Sequence, residues 1–354
     1  MTKDIHQTSK QNPSFGGRSG SGPQILMAAG ALLVGALLMA LKFYLYRYTG
    51  STAVFSDALE SIINVVASAF VLASVWLSAK PPDKSHPYGH GKIEFFSAGF
   101  EGALIIIAAF GVFRMGIARL LHPQPLLNLE NALLILLGIN AVNLALAIAL
   151  IRVGRRTSSL ALIADGRHIL TDVYTTGGVL VGLLLVRLTG WFWVDGAFAC
   201  LVGVNILWSG GKLVRKSFRG LMDAAEPRLL EEISGLLSDH RKDIWIDIHQ
   251  LRAWRSGRMI HMDFHLILPR DLTLEEAHRE AKELEAVIVE HFKGAASALI
   301  HMDPCIEDDC PVCRARLCSL RAEEQRAELN WDADTVTLNG GAGERLRSAE
   351  GRLR

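Results

Sequence analysis

Six apolar stretches, at about 24–46, 53–78, 95–120, 129–151, 160–187 and 193–211, limit what this chain can fold into more than any other feature. Each approaches the ~20 residues that a helix needs to cross the hydrocarbon core of a bilayer. Inside lipid every backbone N–H and C=O must find its partner within the protein, so spans of this kind are helices. The last stretch is short for the task, and the second and fifth are interrupted by ionisable side chains. Composition fits a membrane half followed by a soluble half. The chain is 50% hydrophobic over 354 residues with mean hydropathy +0.26, yet 21% charged, and most of the charge follows the spans. A formal net charge of +1 offers no footing for nucleic acid, and none is expected as a partner.

The interruptions are patterned. Asp57, Glu60 and Asn64 stand at i, i+3 and i+7 in the second stretch, and Asp165, His168 and Asp172 repeat that spacing in the fifth. Each set makes a polar stripe on one helical face. A charge within a span costs about 2.5–3.5 kcal/mol on insertion scales, so two matching stripes imply a use for them. Carboxylates, an imidazole and an amide on two facing helices suggest a buried cation site. Glu60 and Asp172 supply two negative charges while His168 and Asn64 supply neutral donors, so a bound divalent ion would give a near-neutral complex. Imidazole with oxygen donors suits zinc, cobalt, iron or nickel and disfavours Cu(I). Such ligands bind metal only when deprotonated, which makes exchange of metal for protons a natural coupling. Asp57 and Asp165, one turn away, are read as access-path or structural groups. The plainer alternative is interhelical polar glue or the lining of a watery cavity.

Residues 1–23 are rich in Gly and Ser and read as a flexible cytoplasmic tail, without the early apolar run of a cleavable signal. Lysine and arginine crowd one set of flanks: Lys3, Lys10 and Arg18; Lys80, Lys84 and Lys92; Arg152, Arg155 and Arg156; Lys212, Arg215, Lys216 and Arg219. The other set has only Arg47, Arg114, Arg119 and Arg187, which puts both termini in the cytoplasm. Residues 212–226 are expected to be a linker. Residues 227–305 then read as helix 227–240, strand 244–251, strand 259–268, a helix capped by Thr273 and Glu276 and reaching about Phe292, and strand 298–302. The fold class is thus a polytopic α-helical membrane protein with six transmembrane helices plus a C-terminal cytoplasmic α/β domain, ferredoxin-like in its αββαβ order. Residues 306–354 are expected to form a charged, cysteine-containing tail, partly helical or disordered beyond Cys318. Cys200 in the sixth stretch reads as a packing residue. Cys305, Cys310, Cys313 and Cys318 face a reducing cytosol, where disulfides are disfavoured. They form either a four-thiolate zinc site or a reduced, flexible segment. No phosphate-binding Gly-rich loop is present, so direct coupling to ATP is not expected.

From about 24 to 305 the chain resembles the cation diffusion facilitator family of divalent-metal transporters. The resemblance rests on the paired stripes, on the segment 83–94 with its His-Pro-Tyr-Gly-His-Gly-Lys run, and on the histidine-bearing soluble domain. It implies a proton antiporter, dimeric, exporting a divalent transition metal from the cytosol; the membrane is read as a bacterial inner membrane, with an organelle's as the alternative. Zn²⁺ is expected first, with Co²⁺, Fe²⁺ and Ni²⁺ close behind, and no cofactor beyond the transported and regulatory metal. Carried over by position, the transport site is Glu60, Asn64, His168 and Asp172, where the familiar zinc pattern has His or Asp and then Asp in the first two places. The resemblance also implies a loop site at Asp83, His86 and His90, for which a solvated turn is the alternative reading. Lys92 would pair with Asp223, and a cytoplasmic site at His249, His265, His278, His301 and Asp303 would tighten the dimer when metal binds. Two other functions fit the same residues: a non-transporting membrane metal sensor or scaffold, and a membrane-embedded metallohydrolase with Asp57 or Asp165 as its base.

Overall fold

The structure is a computed structural model describing residues 22–49, 52–121, 130–189, 193–315, 318–343 and 345–346. The side chains of residues 52–60, Asp57 and Glu60 among them, lie outside that description, as do Lys3, Lys10 and Arg18. The chain divides into two compact units at the junction of Met222 and Asp223.

The first unit contains α1 (Gly22–Thr49), α2 (Thr52–Ser78), α3 (Ile93–Leu121), α4 (Glu130–Thr157), α5 (Leu160–Thr189) and α6 (Trp193–Leu221). At 1.5 Å per residue each is roughly 40–45 Å long, more than the ~30 Å hydrocarbon core, so the ends reach the headgroup layers. Spans Gly22–Tyr44, Ile93–Ala118 and Leu137–Thr157 are long and apolar enough to cross a membrane unaided, and α2 adds a shorter apolar run, Asn64–Ser78. Leu26, Leu33 and Leu37 on α1, Ile107 and Phe110 on α3 and Trp208 on α6 point outward. That inverts a soluble helix and suits a lipid-facing surface.

Small residues line the interior. Ala28 and Ala31 of α1 pack with Val71 and Val75 of α2, Ala147 of α4 and Ala161 of α5. A second cluster joins Ala98, Ile105 and Ala109 of α3 to Ala164 of α5 and to Ile206 and Leu213 of α6. Without a hydrophobic drive between helices in lipid, such close approach supplies the packing. Between α3 and α6 a Cβ on Gly210 would lie 3.1 Å from the carbonyl oxygen of Gly102, and one on Gly102 would lie 3.0 Å from the backbone nitrogen of Val214. Residues 212–221, expected to be linker, instead continue α6. Apolarity stops at 211 but helix does not, because Leu213 stays buried and Arg219 lies in the last turn, where a cation suits the helix dipole.

The second unit holds α7 (Pro227–Asp239), β1 (Asp247–Ser256), β2 (Met259–Leu268), α8 (Leu274–His291) and β3 (Ala296–Pro304), the αββαβ order read from the sequence. The sheet runs β1-β2-β3, with β1 antiparallel and β3 parallel to β2. A parallel neighbour requires a crossover, and α8 supplies it. Leu229, Ile233 and Leu237 of α7 with Leu284 and Ile288 of α8 cover one sheet face at Met262, Phe264 and Leu266. Thr273 and Glu276 form the expected capping box. The first strand begins and ends later than 244–251, because a bulge between His249 and Arg252, with Gln250 at φ 55°, carries pairing on to Ser256.

The described residues after 305 form a packed extension, where a partly helical or disordered tail is expected beyond Cys318. It contains a 3₁₀ turn at Glu307–Val312 and α9 (Ala333–Val336). Trp331 and Val336 join the domain core, while Val312, Cys313 and Ala342 bury against Ile246 and Ile267 on the other side of the sheet. Asp247 accepts hydrogen bonds from the Ala342 N–H (2.8 Å) and from Nη2 of Arg345 (2.9 Å), fastening the far end.

Candidate metal centres

The two polar stripes meet between α2 and α5. Nδ2 of Asn64 donates to Oδ2 of Asp172 at 2.7 Å, and Oδ1 of Asn64 lies 3.0 Å from Nε2 of His168. One turn along, the Ser68 hydroxyl donates to Oδ1 of Asp165 at 3.1 Å. His168 and Asp165 are buried, whereas Asn64 and Asp172 are half-buried. The i, i+4 pair Asn64 and Ser68 therefore faces the i, i+7 pair Asp165 and Asp172, as antiparallel helices allow. With the Asn64 amide oriented by its donation to Asp172, its Oδ1 is an acceptor, which is met by the His168 tautomer that carries its proton on Nε2. In that tautomer the proton must leave Nε2 before the nitrogen can take a metal. Three donors of mixed oxygen and nitrogen character are thus gathered inside the helical unit. Glu60 lies one turn before Asn64 on α2, with its side chain outside the described residues.

Sequence reasoning missed two buried carboxylates on α3. Glu94 accepts from the hydroxyls of Ser78 and Ser159, tying together the end of α2, the start of α3 and the start of α5. Glu101 is wholly buried, and its two oxygens have no hydrogen-bond partner among the described residues. Asp165 and Asp172 are within electrostatic reach of it. The available signal was an acidic residue in the middle of an apolar run, Phe100-Glu101-Gly102.

In the loop between α2 and α3, Asp83 collects both histidines of its segment. Its Oδ1 lies 3.3 Å from Nδ1 of His86, its Oδ2 lies 3.3 Å from Nε2 of His90, and the two rings are 4.4 Å apart. The backbone N–H groups of His86 and Ser85 also donate to Asp83, and these bonds hold its carboxyl below the usual range. A charged carboxylate and two imidazoles within 4.8 Å form a group able to hold a cation.

On the sheet face opposite α7 and α8 the strand register aligns His249, His265 and His301 across β1, β2 and β3. Asp303 accepts from Nδ1 of His265 and of His301, each at 2.8 Å, and lies 3.6 Å from Nε2 of His249. His249, His265 and Asp303 place ligand atoms within 4.8 Å of one another. Burial, and next the charge of His265, pull the His249 imidazole down to about 4, so it is neutral and ready to ligate at cytosolic pH. His278 is exposed on α8 and is not among the converging groups. Lys92 precedes α3, and Asp223 opens the second unit with φ 53°. Cys305, Cys310, Cys313 and Cys318 line one cavity of the cytoplasmic unit, while Cys200 lies apart on α6.

Comparison with known proteins matches both units in order. Residues 28–222 match the family described as "Cation efflux transmembrane domain", and residues 226–305 match "Cation efflux protein, cytoplasmic domain". The chain is 37% identical over 289 residues to an uncharacterized transporter, sll1263, of Synechocystis sp., covering 81% of this chain and 91% of that protein. It is 32% identical over 289 residues to the cation-efflux pump FieF of Escherichia fergusonii, covering 78% and 92%. With FieF of Klebsiella pneumoniae the identity is 31% over 286 residues, covering 78% and 91%. These matches make the protein a multi-pass membrane transporter, which removes the metallohydrolase reading. What the two stripes suggested is therefore membership: the chain belongs to the cation diffusion facilitator family and serves the efflux of divalent metal cations.

Proposed function

We propose that this protein exports Zn²⁺ from the cytosol in exchange for protons, with Co²⁺, Fe²⁺ and Ni²⁺ as competing substrates, through a site made of Glu60, Asn64, His168 and Asp172. The observation that carries the reading is the hydrogen-bonded set Asn64, His168 and Asp172 inside the helical unit. Its metal-free form is closed by the Asn64 amide and by an N–H of His168, and an arriving ion has to displace both. A carboxylic acid or imidazolium of the set loses its proton to the ion, and that competition is the elementary requirement of antiport. Asp165, held by Ser68, and the buried Glu101 are the nearest further acids for a proton to occupy.

The other centres are read as regulatory. Asp83, His86 and His90 form a loop site, and His249, His265, His301 and Asp303 form a cytoplasmic site, with His278 contributed on the same resemblance. Metal there would tighten a homodimer of cytoplasmic domains, with Lys92 and Asp223 as an interlocking pair. The positive flanks favour both termini in the cytoplasm, and bacterial FieF relatives suggest an inner membrane. The test is metal flux into proteoliposomes under an imposed pH gradient, comparing the unmodified protein with Asp172→Ala across Zn²⁺, Co²⁺, Fe²⁺ and Ni²⁺. Gradient-driven uptake that disappears in the variant is expected. Flux indifferent to the gradient would remove proton coupling, and a folded protein that moved none of the ions would leave a sensor.

A further inference from the structure

We propose that Cys305, Cys310, Cys313 and Cys318 together bind one Zn²⁺ as a four-thiolate structural site that pins the carboxy-terminal extension to the cytoplasmic domain. This site is separate from the transport path and lies at and beyond the end of the family match at residue 305. All four cysteines are free thiols and line a single cavity. They reach it from three places in the chain. Cys305 follows β3, its N–H donating to the Leu268 carbonyl at the end of β2 (2.8 Å). Cys310 and Cys313 bracket Pro311 and Val312 in a tight knuckle, the Cys313 N–H returning to the Cys310 carbonyl at 3.2 Å. Cys318 comes from the returning segment.

Burial pushes the Cys305 and Cys313 thiols up, while hydrogen-bond donors and guanidinium groups border the cavity beside the carboxylates of Asp271, Glu307 and Asp309. The Ala322 N–H donates to Sγ of Cys310 at 3.4 Å. Arg321 spans the loop, donating to the carbonyls of Cys310, Cys313 and Ala315, and brings a fixed positive charge to the cavity wall. Cys310 and Cys313 are buried and Cys305 and Cys318 half-buried, as in a site closed to exchange. The sulfurs are spread around the wall, outside the 4.8 Å convergence of the two histidine groups. Rotation about χ1, one torsion per cysteine, is the movement that would close them. Four sulfurs in a tetrahedron select a soft, four-coordinate ion, and a closed four-thiolate set is the pattern of structural rather than catalytic zinc. The described residues between Cys318 and Asp332 form no helix or strand. A stretch held without a ladder is where a metal staple adds most to order.

The test uses the full-length protein, purified in detergent under reducing conditions and washed with a weak chelator before its zinc is counted by mass spectrometry. The unmodified chain and Cys200→Ser are each expected to keep one more zinc per chain than Cys310→Ser/Cys313→Ser. Equal zinc in all three overturns the proposal. Because the double variant is open to misfolding, Co²⁺ is also added to the unmodified protein after zinc removal. Sulfur-to-cobalt charge-transfer absorption with the visible bands of tetrahedral cobalt supports the site, and their absence overturns it. Cys305→Ser and Cys318→Ser should each shift those bands, and a spectrum indifferent to either excludes the four-sulfur set.

Discussion

Asn64 spends both halves of its amide on the interior site, donating to Asp172 and accepting from His168. Asn64→Asp would replace the donor by a second carboxylate facing Asp172 and so raise the demand for a cation. We expect metal affinity to rise by about tenfold or more in a titration of the purified protein, from the added charge–charge attraction. Unchanged affinity and ion ranking would remove Asn64 from the coordination set. His249 gives a pH dependence outside the membrane. Its folded value of about 4 lies below the ordinary 6.5, so on acidification the unfolded chain takes up the proton first. The metal-free protein should therefore lose thermal stability as pH falls from about 6.5 towards 4, with a flatter dependence in His249→Gln.

At the level of elements, periodicity carried most of the reading. Apolar runs of membrane length gave α1 to α6, and alternation gave β2 together with the face shared by His265, His301 and Asp303. The matched stripes brought Asn64, His168 and Asp172 together for the same reason, since i, i+3, i+7 spacing defines a face before any fold is known. What escaped has no period. The Gln250 bulge moves the end of β1, and nothing local in the sequence announces it. The extension is ordered by side chains reaching backbone, such as Arg241 donating to the Leu329 carbonyl (2.7 Å) while stacking on Trp331, and these are long-range choices. Its anchor is open to test. Asp247 is buried with Arg345 as its cation, and removing one partner of such a pair costs about 3–5 kcal/mol. Arg345→Ala should lower the melting temperature of the cytoplasmic unit in the full-length protein and speed amide exchange over 318–346. Unchanged exchange there would mean that the extension is held elsewhere.

For the whole molecule, the contact between α3 and α6 sets how the membrane unit can move. Neighbouring glycines on α6 provide a matched test. A Cβ at Gly210 meets the Gly102 carbonyl and the side chains of Ile105 and Ile106, while one at Gly211 meets nothing within 4 Å. Gly210→Ala should destabilise the detergent-solubilised protein by about 1–3 kcal/mol through overpacking. Gly211→Ala should raise stability by a few tenths to about 1 kcal/mol by stiffening the unfolded chain. Similar melting shifts in the two variants would refute the seam. The close contacts continue along both helices, from Phe95 against Gly220 through Ser217 beside Gly99 to Phe113 against Gly203. Two rods meshed over that length cannot slide past each other by a fraction of a turn without collision. They behave as a drive shaft, and α6 is also the helix from which the chain passes at Met222 into the cytoplasmic unit. Meshed in this way α3 and α6 turn as one body, so relative movement inside the membrane unit is expected where they border α2 and α5.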